Sequence, residues 1–417
     1  MTMNKNLLVT VKLWGHTVGM LLHDTRDRIF FQYNPDFIKT GLDISPIKLK
    51  PKIETTQTTY DTEFAGLPSV FYESLPDNYG MRVLERHFKD TLNIAPHNIS
   101  PLQKLMHIGK RGIGALEYEP AEKSHTLALQ SLEMSELVMQ AKKAIQGDMD
   151  GVITEVFKEA SSSIGGAKAK ATILWNKNTN DVLSGHLEAP NGYEHWIIKF
   201  DGISEDRNHK DDTVLEYIYL TMAQKCGIRT AICELFEQDT LSHLMIKRFD
   251  RDGVNKPYHM LSLASMLGVN FRDRNDSSYE TFMRNTQAIC KDRTELEEVF
   301  RRLVFNVLSG NQDDHSKNHS FVMDKEGTWR LSPAYDLTPL FGNGHQMLIN
   351  SKSRGVVLED LYQIAESFGI ANAKEIVEFQ SQTLSEFRRL ASDYGVNIGT
   401  TEKIAKNMKI TKPIFAV

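Results

Sequence analysis

The sequence predicts an α+β chain in which a β-rich front precedes a helical rear. Three observations predict it. Leu7, Val9, Val11 and Leu13 alternate with polar residues, the two-residue period of a half-buried strand. Short runs of strand type recur as far as Phe249. From about Leu261 the apolar spacing becomes helical, most clearly over 295–308.

Taken in order, the chain opens with that first strand, turns at Gly15-His16 and returns over 18–22, and Ile29, Phe30 and Phe31 continue the pattern. The stretches 66–71 and 74–80 carry Gly, Pro, Ser and Asn and read as loops. Helical spacing is expected over 85–92 and 127–145. The Ser- and Gly-rich stretch 161–166 opens a new unit, with strands at 172–175 and 195–200. A helix over 211–225 offers Leu215, Ile218, Leu220 and Met222 to a core. Gly227 suits the left-handed residue that follows a helix end. A further strand covers 244–249. The chain therefore divides into an N-terminal subdomain over 1–150, a lobe with a glycine-rich loop over 151–255, and a helical lobe over 256–417. A β-rich lobe followed by a helical one suits an enzyme whose substrate lies between lobes.

Length and composition agree. At 417 residues the chain exceeds one ordinary domain, and its 41% apolar and 25% charged residues suit a globular protein with a sizeable core. A net charge of -5 argues against a protein that coats nucleic acid by charge alone and leaves a DNA-binding partner open. Cys226, Cys233 and Cys290 form no CxxC pair and three thiols cannot all be bridged within one chain, which points to a reducing compartment. Residues 1–6 show no apolar core after their charge, and no later run reaches about 18 apolar residues. The expectation is a cytoplasmic protein without membrane contact.

The chemistry is concentrated in Asn311-Gln312-Asp313-Asp314-His315-Ser316-Lys317-Asn318 and in Ser332-Pro333-Ala334-Tyr335-Asp336. Phosphoryl transfer from ATP needs a carboxylate to take the acceptor's proton and oxygen ligands to hold magnesium on the phosphates. Kinases supply an Asp, an Asn five positions later and a second Asp after a hairpin. Asp313 and Asn318 are five positions apart, and strands at 321–323 and 329–331, joined by a turn over 324–328, return Asp336 toward Asn318. Taken alone, an Asp-rich loop reads equally well as helix-capping polar residues. The spacing, the hairpin and Asp336 together favour the kinase reading.

Two further pieces precede that motif in kinase order. Gly165 and Gly166, beside Ser161, Ser162 and Ser163, would let backbone N–H groups approach phosphate without a Cβ between. The stretch is neither a Walker loop nor the GxGxxG of ordinary kinases, and alone it reads as a linker. Lys199 ends an apolar strand and Glu216 lies on the next helix, as in the lysine–glutamate pair that pins the α- and β-phosphates.

Residues 313–318 and 331–336 together resemble the signature of HipA-type serine/threonine kinase toxins. The resemblance covers nearly the whole chain, since 18–21, 74–80 and 112–116 are similar to that family's N-terminal subdomain. It implies a bilobal, protein-kinase-like α+β fold with an N-terminal β-rich subdomain and a helical C-terminal lobe. It implies ATP and Mg²⁺, with Asp313 as catalytic base and Asn318 and Asp336 as metal ligands. Gly165, Gly166, Ala167, Lys168, Ala169 and Lys170 would form the phosphate loop, and Lys199, held by Glu216, would contact the phosphates. Lys247, Arg248 and Phe249 would form the hinge at the adenine, and His315, Lys317 and Tyr335 would line the nucleotide. The family is silenced by autophosphorylation just before the phosphate loop, which places the switch at Ser163, with Ser161 and Ser162 as alternatives. A phosphate there adds nearly two negative charges where the ATP phosphates must sit. Two departures stand out. Lys168 and Ala169 replace the family's usual loop residues, and Lys247 occupies a hinge position that is commonly acidic. The resemblance also implies a helix-turn-helix antitoxin of HipB type as partner, operator DNA reached only through it, and a protein substrate such as an aminoacyl-tRNA synthetase. The alternatives from other classes are a silent relative acting as co-repressor or scaffold, and a small-molecule kinase.

Overall fold

The computed structural model describes residues 6–58, 63–76, 78–121, 132–146, 168–203, 211–253, 255–274 and 276–409. The first unit is built on an antiparallel sheet. Strands β1 (Leu7–Leu13), β2 (His16–His23), β3 (Ile29–Tyr33), β4 (Thr56–Gln57) and β5 (Leu116–Glu119) lie in the order β4-β3-β2-β1-β5. The alternation read in β1 holds, because Val9, Val11 and Leu13 are fully buried. Helices α1 (Pro35–Lys39), α2 (Ser69–Tyr72) and α4 (Pro101–Ile108) share this sheet's core, and α3 (Asn78–Leu92) lies between α2 and α4 in the chain. The stretches 66–71 and 74–80, expected as loops, in fact contain α2 and the start of α3. Their glycines and prolines sit at helix boundaries, and Pro68 stands at the N-cap of α2. Helix α4 starts with a capping box between Ser100 and Gln103.

The second sheet has the order β7-β6-β8-β10-β9 and is antiparallel throughout. Its strands are β6 (Lys170–Asn176), β7 (Asp181–Ser184), β8 (Glu194–Lys199), β9 (Cys233–Gln238) and β10 (Leu241–Lys247). Successive side chains point to opposite faces. One face carries Ala171, Ile173, Trp175, Trp196 and Ile198 into a core shared with Met134, Leu137, Val138 and Ala141 of helix α5 (Met134–Gln146). The boundary at 150 had placed α5 with the first unit. Its apolar stripe packs instead on the second sheet, together with Tyr79 and Val83 of α3. The opposite face presents Lys170, Ile197, Lys199 and Ile246 to a cavity. Helix α6 (Asp212–Lys225) follows β8 and ends at Gly227 with φ +78°.

The third unit begins with a small hairpin, β11 (Arg251–Asp252) and β12 (Lys256–Pro257), and a sheet in the order β13-β14-β15. Strand β13 (His259–Ser262) pairs with β14 (Ser320–Met323), and β14 with β15 (Trp329–Leu331). Helical structure is expected from about Leu261, and it begins at Leu263, directly after β13, whose partner strand β14 lies beyond the helices that follow. Helices α7 (Leu263–Leu267), α8 (Tyr279–Cys290) and α9 (Arg293–Ser309) lie between β13 and β14. Four more follow, α10 (Leu358–Phe368), α11 (Ala373–Leu384), α12 (Phe387–Asp393) and α13 (Ile398–Asn407).

One continuous apolar core runs from β1–β3 through α6 into α9 and the terminal helices, so the first and third units are not separate cores. The three cysteines are unpaired, and burial pushes each thiol up to about 12, where it stays protonated. Among the described residues, no helix is long and apolar enough to cross a membrane.

Candidate active site

Strand alternation decides what faces the cavity between the second sheet and the helical lobe. Lys170 of β6 and Lys199 of β8 are direct cross-strand partners and share a face, so both ammonium groups enter one cavity of about 350 Å³. Lys199 Nζ donates to Glu216 Oε1 at 2.5 Å and to Asp336 Oδ1 at 2.6 Å. Burial opposes the Lys199 charge, but Asp336 and Glu216 outweigh it and hold the ammonium above the usual lysine range. Glu216 is fully buried behind the cavity wall and acts through Lys199.

Asp336 reaches this point because β15 ends at Leu331 and the next residues run beside 229–231. Ala334 N–H donates to Arg229 O at 2.7 Å and Ala231 N–H donates to Ala334 O at 2.9 Å. Arg302 on α9, paired with Glu298 at 2.7 Å, donates to Ser332 O at 2.6 Å. Asp336 itself has φ +56°, a left-handed conformation uncommon for a non-glycine residue and typical of functional sites. Burial would raise its carboxyl, but Lys199 and Lys170 hold it well below the usual carboxylate range.

Asp313 lies on the loop that leaves α9 through Gly310, whose φ is +74°. Its side chain is 38% exposed, which leaves it open to an incoming hydroxyl. Burial of the group, and then the nearby Asp336 and Asp314, raise its carboxyl above the ordinary value against the pull of His315. Asp313 and Asp336 are thus pushed in opposite directions, the pattern of a base paired with a permanent anion. Asn318 Nδ2 donates to the Asp313 carbonyl at 2.9 Å, which leaves Oδ1 for a cation. Asp336 likewise keeps Oδ2 beyond its bond to Lys199. Magnesium takes one or two protein oxygens and completes its shell with phosphate and water, and this donor pair fits it. Among the described residues, no group of three His, Cys, Asp or Glu could hold a metal without such help.

The other expected residues distribute as follows. Lys168, Lys170, His315, Lys317 and Tyr335 line the cavity. Lys168 Nζ also lies 3.3 Å from Asp212. The Tyr335 ring stacks on Phe249 at 5.4 Å, and its hydroxyl donates to Lys317 O at 2.9 Å. Lys247 lines the cavity while its Nζ donates to Glu194 at 2.5 Å. Arg248 and Phe249 also line the cavity. The Arg248 guanidinium is buried, donating to Asp250 Oδ2 at 2.7 Å and to Gly112 O at 3.2 Å, so it ties this segment to the first unit. Ala169 is buried in the core of the second sheet and does not face the cavity. Gly165, Gly166, Ala167, Ser161, Ser162 and Ser163 lie outside the described residues.

Sequence reasoning missed one wall. Glu73, Leu75 and Ile113 come from the first unit, and Met260, Phe271 and Arg272 from the β13–α8 region, yet all line the same cavity. The resemblance over 74–80 and 112–116 was the available signal, because two of the three first-unit residues lie in those stretches.

A β-rich lobe, a helical lobe and a lysine–carboxylate cavity between them define a bilobal fold of protein-kinase type. The comparisons place it more closely. The HipA-like C-terminal domain matches residues 162–389, and the HipA N-terminal domain matches 9–119. The chain belongs to the HipA-like kinase family. It is 22% identical over 435 aligned positions to the candidate kinase Y4dM of Sinorhizobium fredii, covering 99% of this chain and 98% of that one. It is 23% identical to the serine/threonine-protein kinase toxin HipA of Shewanella oneidensis over 365 positions, covering 81% and 76%. The solved Shewanella oneidensis complex of HipA, HipB and operator DNA contains a similar chain, with TM-score 0.68, 17% identity, and coverage of 96% and 94%.

Proposed function

We propose that this chain is an ATP-dependent serine/threonine protein kinase of toxin type, working in the cytoplasm. The observation that carries the reading is the junction of Lys199 with both Glu216 and Asp336 in the cavity that Asp313 and Asn318 also line.

In this reading ATP lies in the cavity with its adenine toward Lys247, Arg248 and Phe249, and Tyr335 stacked behind Phe249. Lys199, kept charged and extended by Glu216, steadies the α- and β-phosphates. Lys168 and Lys170 add positive charge on the same side, with Gly165, Gly166 and Ala167 completing the loop. Asn318 and Asp336 would hold Mg²⁺, which supplies charge neutralisation to the phosphates. Asp313 accepts the proton of a Ser or Thr hydroxyl as its oxygen bonds to the γ-phosphorus. The bond from that phosphorus to the β–γ bridging oxygen breaks, and ADP leaves. Lys317, from the same loop, adds positive charge beside the transferred group, and the His315 imidazole lines the cavity next to it.

Three finer points belong to this reading. The similarity to a HipA found with HipB on operator DNA supports a helix-turn-helix antitoxin as partner. The acceptor is a protein hydroxyl, with an aminoacyl-tRNA synthetase as first candidate. Phosphorylation of Ser163, or of neighbouring Ser161 or Ser162, would place charge against the phosphate site and shut the enzyme off.

The test is the intact mass after incubation with Mg-ATP, beside Asp313→Ala and Ser163→Ala. A gain of one phosphate in the native chain, absent from Asp313→Ala, supports self-modification by this site. Its absence from Ser163→Ala assigns the residue. No gain in unmodified protein that still binds ATP moves weight to a co-repressor role or to a small-molecule acceptor.

A further inference from the structure

Asp314, next to the proposed base, takes no part in the transfer chemistry, yet its carboxylate is wholly enclosed, with a side-chain exposure of 0%. Its Oδ2 accepts from the Tyr279 hydroxyl at 3.0 Å and pairs with His345 Nδ1 at 2.8 Å, and its Oδ1 accepts from the Gln346 N–H at 2.7 Å. The Tyr279 hydroxyl in turn accepts from Asn306 Nδ2 at 2.8 Å. Asn306 Oδ1 accepts from Asn311 Nδ2 at 3.0 Å, and Asn311 Oδ1 accepts from the Asp313 N–H at 3.2 Å. These bonds form a ring that leaves the loop at Asp314, passes through α8 and α9, and returns at Asn311. Asp313 is gripped between the two tied ends.

The same loop is strapped to the chain that follows Asp336. Gln312 N–H donates to Leu340 O at 3.2 Å, and Gln312 Oε1 accepts from the Gly344 N–H at 2.9 Å. With His345 and Gln346 on Asp314, the contacts run along 340–346. A buried and fully bonded polar network of this kind specifies one geometry rather than adding much net stability. Burial alone would raise the Asp314 carboxyl, and His345 with the donated hydrogen bonds holds it below its ordinary value.

We propose that the ring of Asp314, Tyr279, Asn306 and Asn311, closed by His345, positions Asp313 and locks the catalytic loop to the segment after Asp336. The two acidic groups of the reaction are then held as one rigid unit. The inference rests on Asp313 acting as the base. Misplacing a reacting group by about 1 Å costs roughly a hundredfold in rate, so a ring that removes a fraction of that freedom has a measurable effect.

The test uses the full chain with Mg-ATP. Tyr279→Phe removes one hydroxyl and keeps the ring packing. Hydrogen exchange over the peptides spanning 311–318 is expected to quicken, and phosphate transfer to slow about tenfold, with ATP affinity unchanged. His345→Ala is expected to behave alike, and His345→Gln, whose amide still donates to Asp314, to recover most of the rate. A Tyr279→Phe protein with lower thermal stability but unchanged exchange and transfer overturns the positioning role. If Tyr279→Phe does not fold, equal transfer rates in His345→Ala and His345→Gln overturn it instead. Full transfer by Asp313→Ala would sink the catalytic reading alone, since the exchange measurement reports on the ring regardless.

Discussion

At Asp313, burial works against the charge that the proposed chemistry requires. The carboxyl is raised above its ordinary value by its surroundings, with Asp336 and Asp314 adding to the effect. A base must be deprotonated to act, so the transfer rate should rise with pH through the elevated Asp313 value and level off above it. Asp313→Asn should lower transfer by about 10²- to 10⁴-fold while its thermal midpoint rises, because a disfavoured charge has been removed. A pH–rate profile and a melting curve on the two proteins check both. Lys199 is the opposite case. Lys199→Met leaves Glu216 buried and Asp336 without its main cation. Breaking such a buried pair costs about 3–5 kcal/mol, which urea unfolding would read, and ATP affinity should fall with it. Asp313, Asn318 and Asp336 of the proposed site could be picked out from spacing because phosphoryl transfer restricts their residue types and order. Glu73, Leu75 and Ile113 were not, because a wall of a cavity needs only shape and can come from any part of the chain.

At the level of elements, the strands near the site were readable as short apolar runs, because β6 and β8 are buried on both faces, whereas β1 keeps a two-residue period. Helix α9 shows the limits of that logic. Its spacing marked it as helical, but not that Glu298 and Arg302 are an internal buried pair whose second duty is to hold Ser332. That bond sets the path of 332–336 and so the place of Asp336. Arg302→Leu should cost about 3–5 kcal/mol by stranding Glu298, and should weaken metal-dependent ATP binding more than metal-free binding. Urea unfolding and nucleotide titrations with and without Mg²⁺ measure the two effects. Strand β13 went unread, and helix α5, read as a helix, was grouped with the first unit, both for one reason. Each takes its final form or place from a distant partner, β14 for the strand and the second sheet for the helix.

Across the whole molecule, the three units behave as one. Asp250 Oδ2 accepts from Gly114 N–H at 2.8 Å, from Arg248 at 2.7 Å and from Arg251 at 2.6 Å, so the hinge and the first unit share a buried carboxylate. A single cooperative unfolding transition is therefore expected. Its pH dependence follows from the buried histidines. Burial lowers His195 and His259 from 6.5 to about 4 and His319 from 6.5 to about 3. Between pH 6.5 and about 4 the unfolded chain binds protons that the folded chain excludes, so stability falls as pH falls through that window. One pH unit below 6.5 is worth up to about 1.4 kcal/mol per histidine. Melting curves at pH 7 and pH 5 should differ in that direction, with the lower midpoint at pH 5.

The sequence by itself determined the β-rich-then-helical order, the family, and the motif residues of the proposed site, because periodicity and catalytic spacing are local properties of the chain. The tertiary structure alone decided that α5 packs on the second sheet, that Arg248 braces the hinge, and that the first unit walls the cavity. It also decided that Asp314 anchors the loop beside it. Those outcomes depend on which buried surfaces and polar groups meet across hundreds of residues, and hydrophobic burial has no direction along the chain from which they could be read.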